Sequence, residues 1–131
     1  MKENKNIRSF LKLEHIVFDK IEFQRFGFKT DHEVNFGLQS NITQHRETEL
    51  YKITLNLTGI KKDEYRFEIS LTGFFDFDSR ESLKDDIKKK LITQNAVAIL
   101  MPYLRSEVSL LTAQPETDCV VLPALNINNM F

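Results

Sequence analysis

Apolar and polar side chains alternate through the middle of the chain. Val34, Phe36, Leu38 and Ile42 hold even positions, with Glu33, Asn35, Gln39 and Thr43 between them. Tyr51, Ile53, Leu55 and Leu57 alternate with Lys52, Thr54, Asn56 and Thr58. Tyr65, Phe67, Ile69, Leu71, Phe75 and Phe77 alternate with Arg66, Glu68, Ser70 and Thr72. A period of two over such lengths predicts long strands with one buried face each. The links between them, His45–Thr48 and Gly59–Asp63, are short, which predicts antiparallel hairpins. An earlier strand spans about 13–26, but its parity slips. Ile16 and Phe18 are in phase, then Ile21 and Phe23, then Phe26 and Phe28. Each slip calls for a bulge or bend, because a one-residue shift turns the side chains to the other face. Residues 27–33 read as a connection that carries an exposed aromatic, Phe28.

After Asp78 the period changes. Ser79 or Ser82 can cap a helix, and Glu81, Asp85 and Asp86 favour its first turns. This helix is expected from about 80 to 112, close to 30 residues or roughly 45 Å at 1.5 Å per residue. Leu83, Ile87 and Leu91 form one stripe in its first half. From Ala96 to Leu104 the stripe widens to the whole circumference, and Pro102 is expected to kink the helix near 98–102. An all-round apolar helix beside a single sheet needs a second covering layer. A second copy of the chain supplies one in a symmetric oligomer. The alternative is the tail from Thr112, extended and carrying Pro115 and Pro123, folding back within one chain. The order of elements predicts an α+β fold: a four-stranded antiparallel sheet, one long kinked helix and an extended C-terminal tail. One domain over 1–131 is expected, with polar residues 1–12 disordered.

Composition narrows the function. The chain has 131 residues, a net charge of −1 and no basic excess of the kind that binds nucleic acid. Lys88, Lys89 and Lys90 lie beside Asp85 and Asp86 and read as a solvated helix face. Cys119 is the single cysteine, which excludes an intrachain disulfide and fits a reducing, cytoplasmic setting. No apolar run reaches the length of a membrane span. His15, His32 and His45 are scattered, with no metal-ligand spacing, and no cofactor is implied. Asp76 and Asp78 read as a helix-approach turn rather than paired acids. Cys119 has no activating base nearby in the sequence. The residues therefore do not describe an enzyme.

Several segments resemble the bacterial protein-export chaperone SecB. ILMPYLRSEVS at 99–109 is similar to the family's "ILFPYaRe". LPALNINNMF at 122–131 is similar to "LaPvNFdaLF", matching at Leu122, Asn126 and Phe131, with conservative changes at Leu125, Ile127 and Met130. FEISLTGFFDF at 67–77 resembles the family's last strand, with Glu68, Gly73 and Phe75 in place. HIVFD at 15–19 resembles "DISFE". The resemblance runs from about 13 to 131 and implies the same sheet and helix, paired into dimers and then tetramers.

It also implies a function: an ATP-independent holdase that binds unfolded or precursor polypeptides along apolar grooves, by many weak contacts. The implied client-binding residues are Val34, Phe36, Leu38, Phe75, Phe77, Ile127, Met130 and Phe131, with sheet core as the other reading of the strand positions. The implied oligomer interface is Val97, Ile99, Leu100, Met101, Tyr103, Leu104 and Val108. Asp19 and Glu68 keep acidic positions that the family uses toward the translocation motor SecA. Some features depart from the family. The family continues into a second helix and a SecA-binding tail, whereas this sequence stops at Phe131, so a reduced lid over the groove is expected. His15 replaces an acid, Ser106 replaces a glutamate, and the chain is near neutral where the family is acidic. Two other functions stay open: a SecB-like module dedicated to one partner such as an antitoxin, and a small-ligand-binding domain.

Overall fold

The structure, a computed structural model, describes residues 11–44, 50–77 and 85–123. For Phe77 and Asp85 it describes the backbone only. Four antiparallel strands, β1 (Leu11–Arg25), β2 (Val34–Gln44), β3 (Leu50–Lys61) and β4 (Tyr65–Phe77), are followed by one helix, α1 (Asp85–Thr112). The strand order is β1-β4-β3-β2, so β1 and β2 are the two edges. The connection from Phe26 to Glu33 crosses the end of the sheet to take the chain from one edge to the other.

The alternation seen in the sequence sets the two faces. Tyr51, Ile53, Leu55 and Leu57 of β3 and Tyr65, Phe67, Ile69, Leu71 and Phe75 of β4 are buried on one face. Ile92, Ala96, Val97, Leu100, Met101, Leu104 and Val108 of α1 are buried with them in a single core. Helix residues spaced three and four apart share one side, so this set is a regular inward stripe. Gly73 lets the helix come close: a β-carbon there would lie 2.7 Å from a Leu100 methyl and 2.7 Å from the Phe75 ring.

Three expectations are corrected. Leu11 is buried and begins β1, so residues 11–12 belong to the fold. The β1 parity slips are register shifts at Leu13/His15 and Phe18/Lys20. The second matches the phase change after Phe18. The change after Phe23 is the end of the strand instead, and Phe26 and Phe28 are exposed beyond it. The β3–β4 turn is tighter than the sequence implies, because β3 runs on to Lys61 and leaves a turn at Lys62–Glu64, with Asp63 in the left-handed region at φ 64°. The helix ends at Thr112, as expected, and runs unbroken through Pro102.

The tail folds back along the last turns of α1. Thr112 Oγ1 donates to the Val108 carbonyl at 2.8 Å and accepts the Val120 N–H at 2.8 Å. Ser109 Oγ donates to the Val120 carbonyl at 3.0 Å, and Arg105 Nε to that of Leu122 at 3.3 Å. Leu122 is fully buried. The tail thus supplies part of the second layer within the chain.

Candidate functional site

α1 packs on β4, β1 and β3, with at most marginal contact to β2. The helix-side row of β2 is therefore only half covered. Val34, Phe36, Leu38 and Ile42 are partly buried and pack against the core from its open flank. They pair across the strands with Lys61, Gly59, Leu57 and Ile53. The row is continuous with aromatic core. Gly59 lies between Phe36 of β2 and Phe67 of β4, and the Phe67 ring fills its missing side chain, 2.3 Å from where a β-carbon would sit. Phe36 and Phe67 then approach to 6.4 Å across β3. Beyond them, Tyr65 lies 6.3 Å from Phe67 and 4.9 Å from Phe23. One row of aromatic rings thus crosses all four strands and opens at β2.

The crossover beside Val34 adds exposed aromatic surface, with Phe26 about half exposed and Phe28 at 93%. It is anchored by Glu64, whose side chain is fully buried. The Glu64 carboxylate accepts the Thr30 N–H at 2.7 Å and pairs with Lys61 Nζ at 3.1 Å and Arg25 Nη1 at 3.7 Å. The Glu64 carbonyl accepts the Phe26 and Gly27 N–H groups. Gly27 is required by proximity, since a β-carbon there would meet the Asp63 carbonyl oxygen at 1.9 Å. Burial alone would raise the Glu64 carboxyl pKa; the Thr30 N–H, Lys61 and Arg25 outweigh it and hold the group below its ordinary range. The tail joins the same cluster. Asp118 pairs with Lys29 at 2.9 Å, and Arg25 Nη2 donates to the Glu116 carbonyl at 3.1 Å. Nothing in the polar run Lys61–Glu64 marks this cluster in the sequence.

The sequence-derived residues divide as follows. Val34, Phe36 and Leu38 lie together on the open flank. Phe75 is fully buried beneath α1. It shares the parity of Ile69 and Leu71 and so belongs to the core. The Phe77 side chain and residues Ile127, Met130 and Phe131 lie outside the described residues. Of the proposed interface, Val97, Leu100, Leu104 and Val108 are fully buried and Met101 nearly so. They form the stripe that α1 buries on its own sheet, and half-buried Ile99 packs against the same core, which leaves Tyr103, 43% exposed, facing outward. Leu110, which the sequence reading passed over, joins Tyr103 at 69% exposed.

Asp19 and Glu68 lie on the opposite, polar face of the sheet. Asp19 accepts a hydrogen bond from Thr72 Oγ1. Glu68 accepts from Lys20 Nζ and Asn56 Nδ2, each at 3.0 Å, and these two partners hold its pKa down. A half-open recess of about 290 Å³ lies at the β1 edge, lined by Ile21, Phe23 and Phe67 with Glu22, Gln24, Arg66 and Glu68. Among the described residues, no group of three or more His, Cys, Asp or Glu side chains is placed to hold a metal ion. No described helix is long and apolar enough to cross a membrane.

The four-stranded antiparallel sheet followed by one helix is a SecB-like fold. A SecB-like chaperone of Mycobacterium tuberculosis, Rv1957, solved in complex with a ChAD peptide from the antitoxin HigA1, superposes with a TM-score of 0.72 over 96% of this chain and 98% of its own, at 11% identity. A Streptococcus agalactiae protein of unknown function matches with a TM-score of 0.57 over 87% of this chain and 97% of its own, at 14% identity. In sequence, an uncharacterized protein of Methanocaldococcus jannaschii is 28% identical over 125 residues, 91% of this chain and 77% of that protein. No family model matches. At these identities the structural likeness is one of fold.

Proposed function

We propose that the chain is a SecB-like holdase, not an enzyme, which binds non-folded polypeptide without ATP along the β2 flank of its sheet. The observation that carries this reading is the half-covered row Val34, Phe36, Leu38 and Ile42, left open where α1 stops short. Phe26 and Phe28 extend that apolar surface, and Ile127, Met130 and Phe131 are proposed to contribute from the tail. Unfolded chains offer apolar side chains at frequent intervals, and an adaptable apolar flank takes many of them weakly. The fold likeness to a chaperone solved with a bound peptide supports the same reading. Leu38→Asp places a charge on the half-covered flank, on the strand that α1 leaves open, and an unchanged Tm checks that the fold is kept. It is expected to weaken suppression of aggregation of a chemically denatured model protein by about tenfold or more, equivalent to ~1.4 kcal/mol. Suppression equal to wild type in this variant would remove the groove from the flank.

The peptide in that complex comes from an antitoxin, which favours a second reading, a chaperone dedicated to one partner. Binding to a panel of unrelated unfolded proteins separates the two: a dedicated chaperone binds one sequence and leaves the panel unbound. We also propose that the outward face of α1, through Tyr103 and Leu110, carries self-association in the cytoplasm. Delivery to SecA through Asp19 and Glu68 would require both acids to exchange the partners they hold on the polar face.

A further inference from the structure

The two edges of the sheet are built differently. β1 carries two register shifts and six charged residues, Lys12, Glu14, Asp19, Lys20, Glu22 and Arg25. Bulges and edge charges are the devices by which sheets refuse another strand. β2 has none of them. Its sequence, VNFGLQSNITQ, contains no charged residue and no proline. Its pairing with β3 runs without a register shift over all 11 residues. Among the described residues, β2 makes no backbone-to-backbone hydrogen bond other than its ladder with β3; the Gly37 carbonyl also accepts from Thr58 Oγ1 of β3 at 3.4 Å. Its outward N–H and C=O groups therefore form an unprotected template beside the half-covered apolar row.

From this contrast we infer that β2 binds its client by strand addition: an extended client segment docks on the free edge as a fifth strand. This inference rests on the holdase reading and gives it a binding mode. Backbone hydrogen bonds are the same for every sequence, so strand addition supplies affinity without specificity. Alternate side chains of the added segment fall on the helix side, beside Phe36 and Leu38. The preferred segment is thus about 11 residues long, or ~37 Å at 3.4 Å per residue, with apolar residues at every second position. The absence of charge on β2 removes any requirement for a charged client. A second copy of the chain is a poorer occupant. Pairing β2 with its symmetry mate would set two uncovered apolar rows side by side, since α1 leaves β2 open in both.

The test is amide hydrogen exchange on the isotope-labelled full chain, alone and saturated with reduced, carboxymethylated α-lactalbumin, a permanently unfolded probe. Complex formation is followed separately by fluorescence anisotropy. Strand addition predicts that every second β2 amide, the set not bonded to β3, slows by at least about tenfold on binding. Backbone-to-backbone nuclear Overhauser contacts from β2 to the probe accompany this change, and β1 amides do not slow. Binding without that alternating protection overturns strand addition and leaves the groove reading standing. Failure of the probe to bind overturns both. Alternating protection already present in the free chain, rising with its concentration, assigns the edge to a second copy and overturns the inference.

Discussion

Glu64 is the residue on which most depends and which the sequence shows least. Its buried carboxylate neutralises Lys61, itself 5% exposed, and ties Thr30 to the β3–β4 turn. Removing one member of a buried ion pair leaves the other poorly compensated, here with Asp118 at 4.0 Å, so Glu64→Gln is expected to cost about 3 kcal/mol in urea unfolding. The folded pKa of Glu64 is depressed. Its contribution is therefore present above the unfolded carboxylate value near 4.5 and is lost as pH falls through the lower folded value. Wild type should lose stability below that point, and Glu64→Gln should flatten this acid limb of the profile. Legibility at this scale was uneven for a physical reason. Alternation gave Phe75 its correct face, but depth on that face depends on where the helix lies, which one strand's pattern does not contain. Glu64 stands in a charged turn whose pattern reads as solvated. Only the crossover and tail folding over it make it a buried charge.

At the scale of elements, period two placed all four strands, and the change of period placed the helix. What misled was the all-round apolar segment of α1. Val97, Leu100, Met101, Leu104 and Val108 look like surplus when the helix is imagined against part of a sheet. A helix lying across three strands uses them all. Only the side carrying Pro102, Tyr103 and Leu110 remains outside. Pro102 is exposed within a continuous helix, and it lacks the N–H that would bond back one turn. Pro102→Ala restores that donor and is expected to raise stability by up to about 3 kcal/mol, read as a higher Tm. No change, or a loss, would mean that the proline ring itself is packed in the assembled protein.

For the whole molecule the main fact is uneven cover. Among the described residues, the helix and the returning tail close β1, β4 and β3, while β2 and the outer side of α1 stay open. If that outer side carries self-association, the double variant Tyr103→Asp, Leu110→Asp lowers the mass measured by light scattering and leaves monomer stability within about 0.5 kcal/mol, as for other surface changes. An unchanged mass would place any assembly elsewhere. The fold could be read from the sequence because sheet and helix follow local periods. The open flank could not, since it reflects where α1 stops rather than any motif. The Glu64 cluster has a consequence of its own. It joins Arg25 and Thr30 to Glu64, and Lys61 to Asp118 of the tail, across long stretches of chain. Contacts so distant in sequence close late in folding, after the local hairpin and helix have formed. The crossover and the tail are therefore fastened by one latch, and whatever springs it releases both at once.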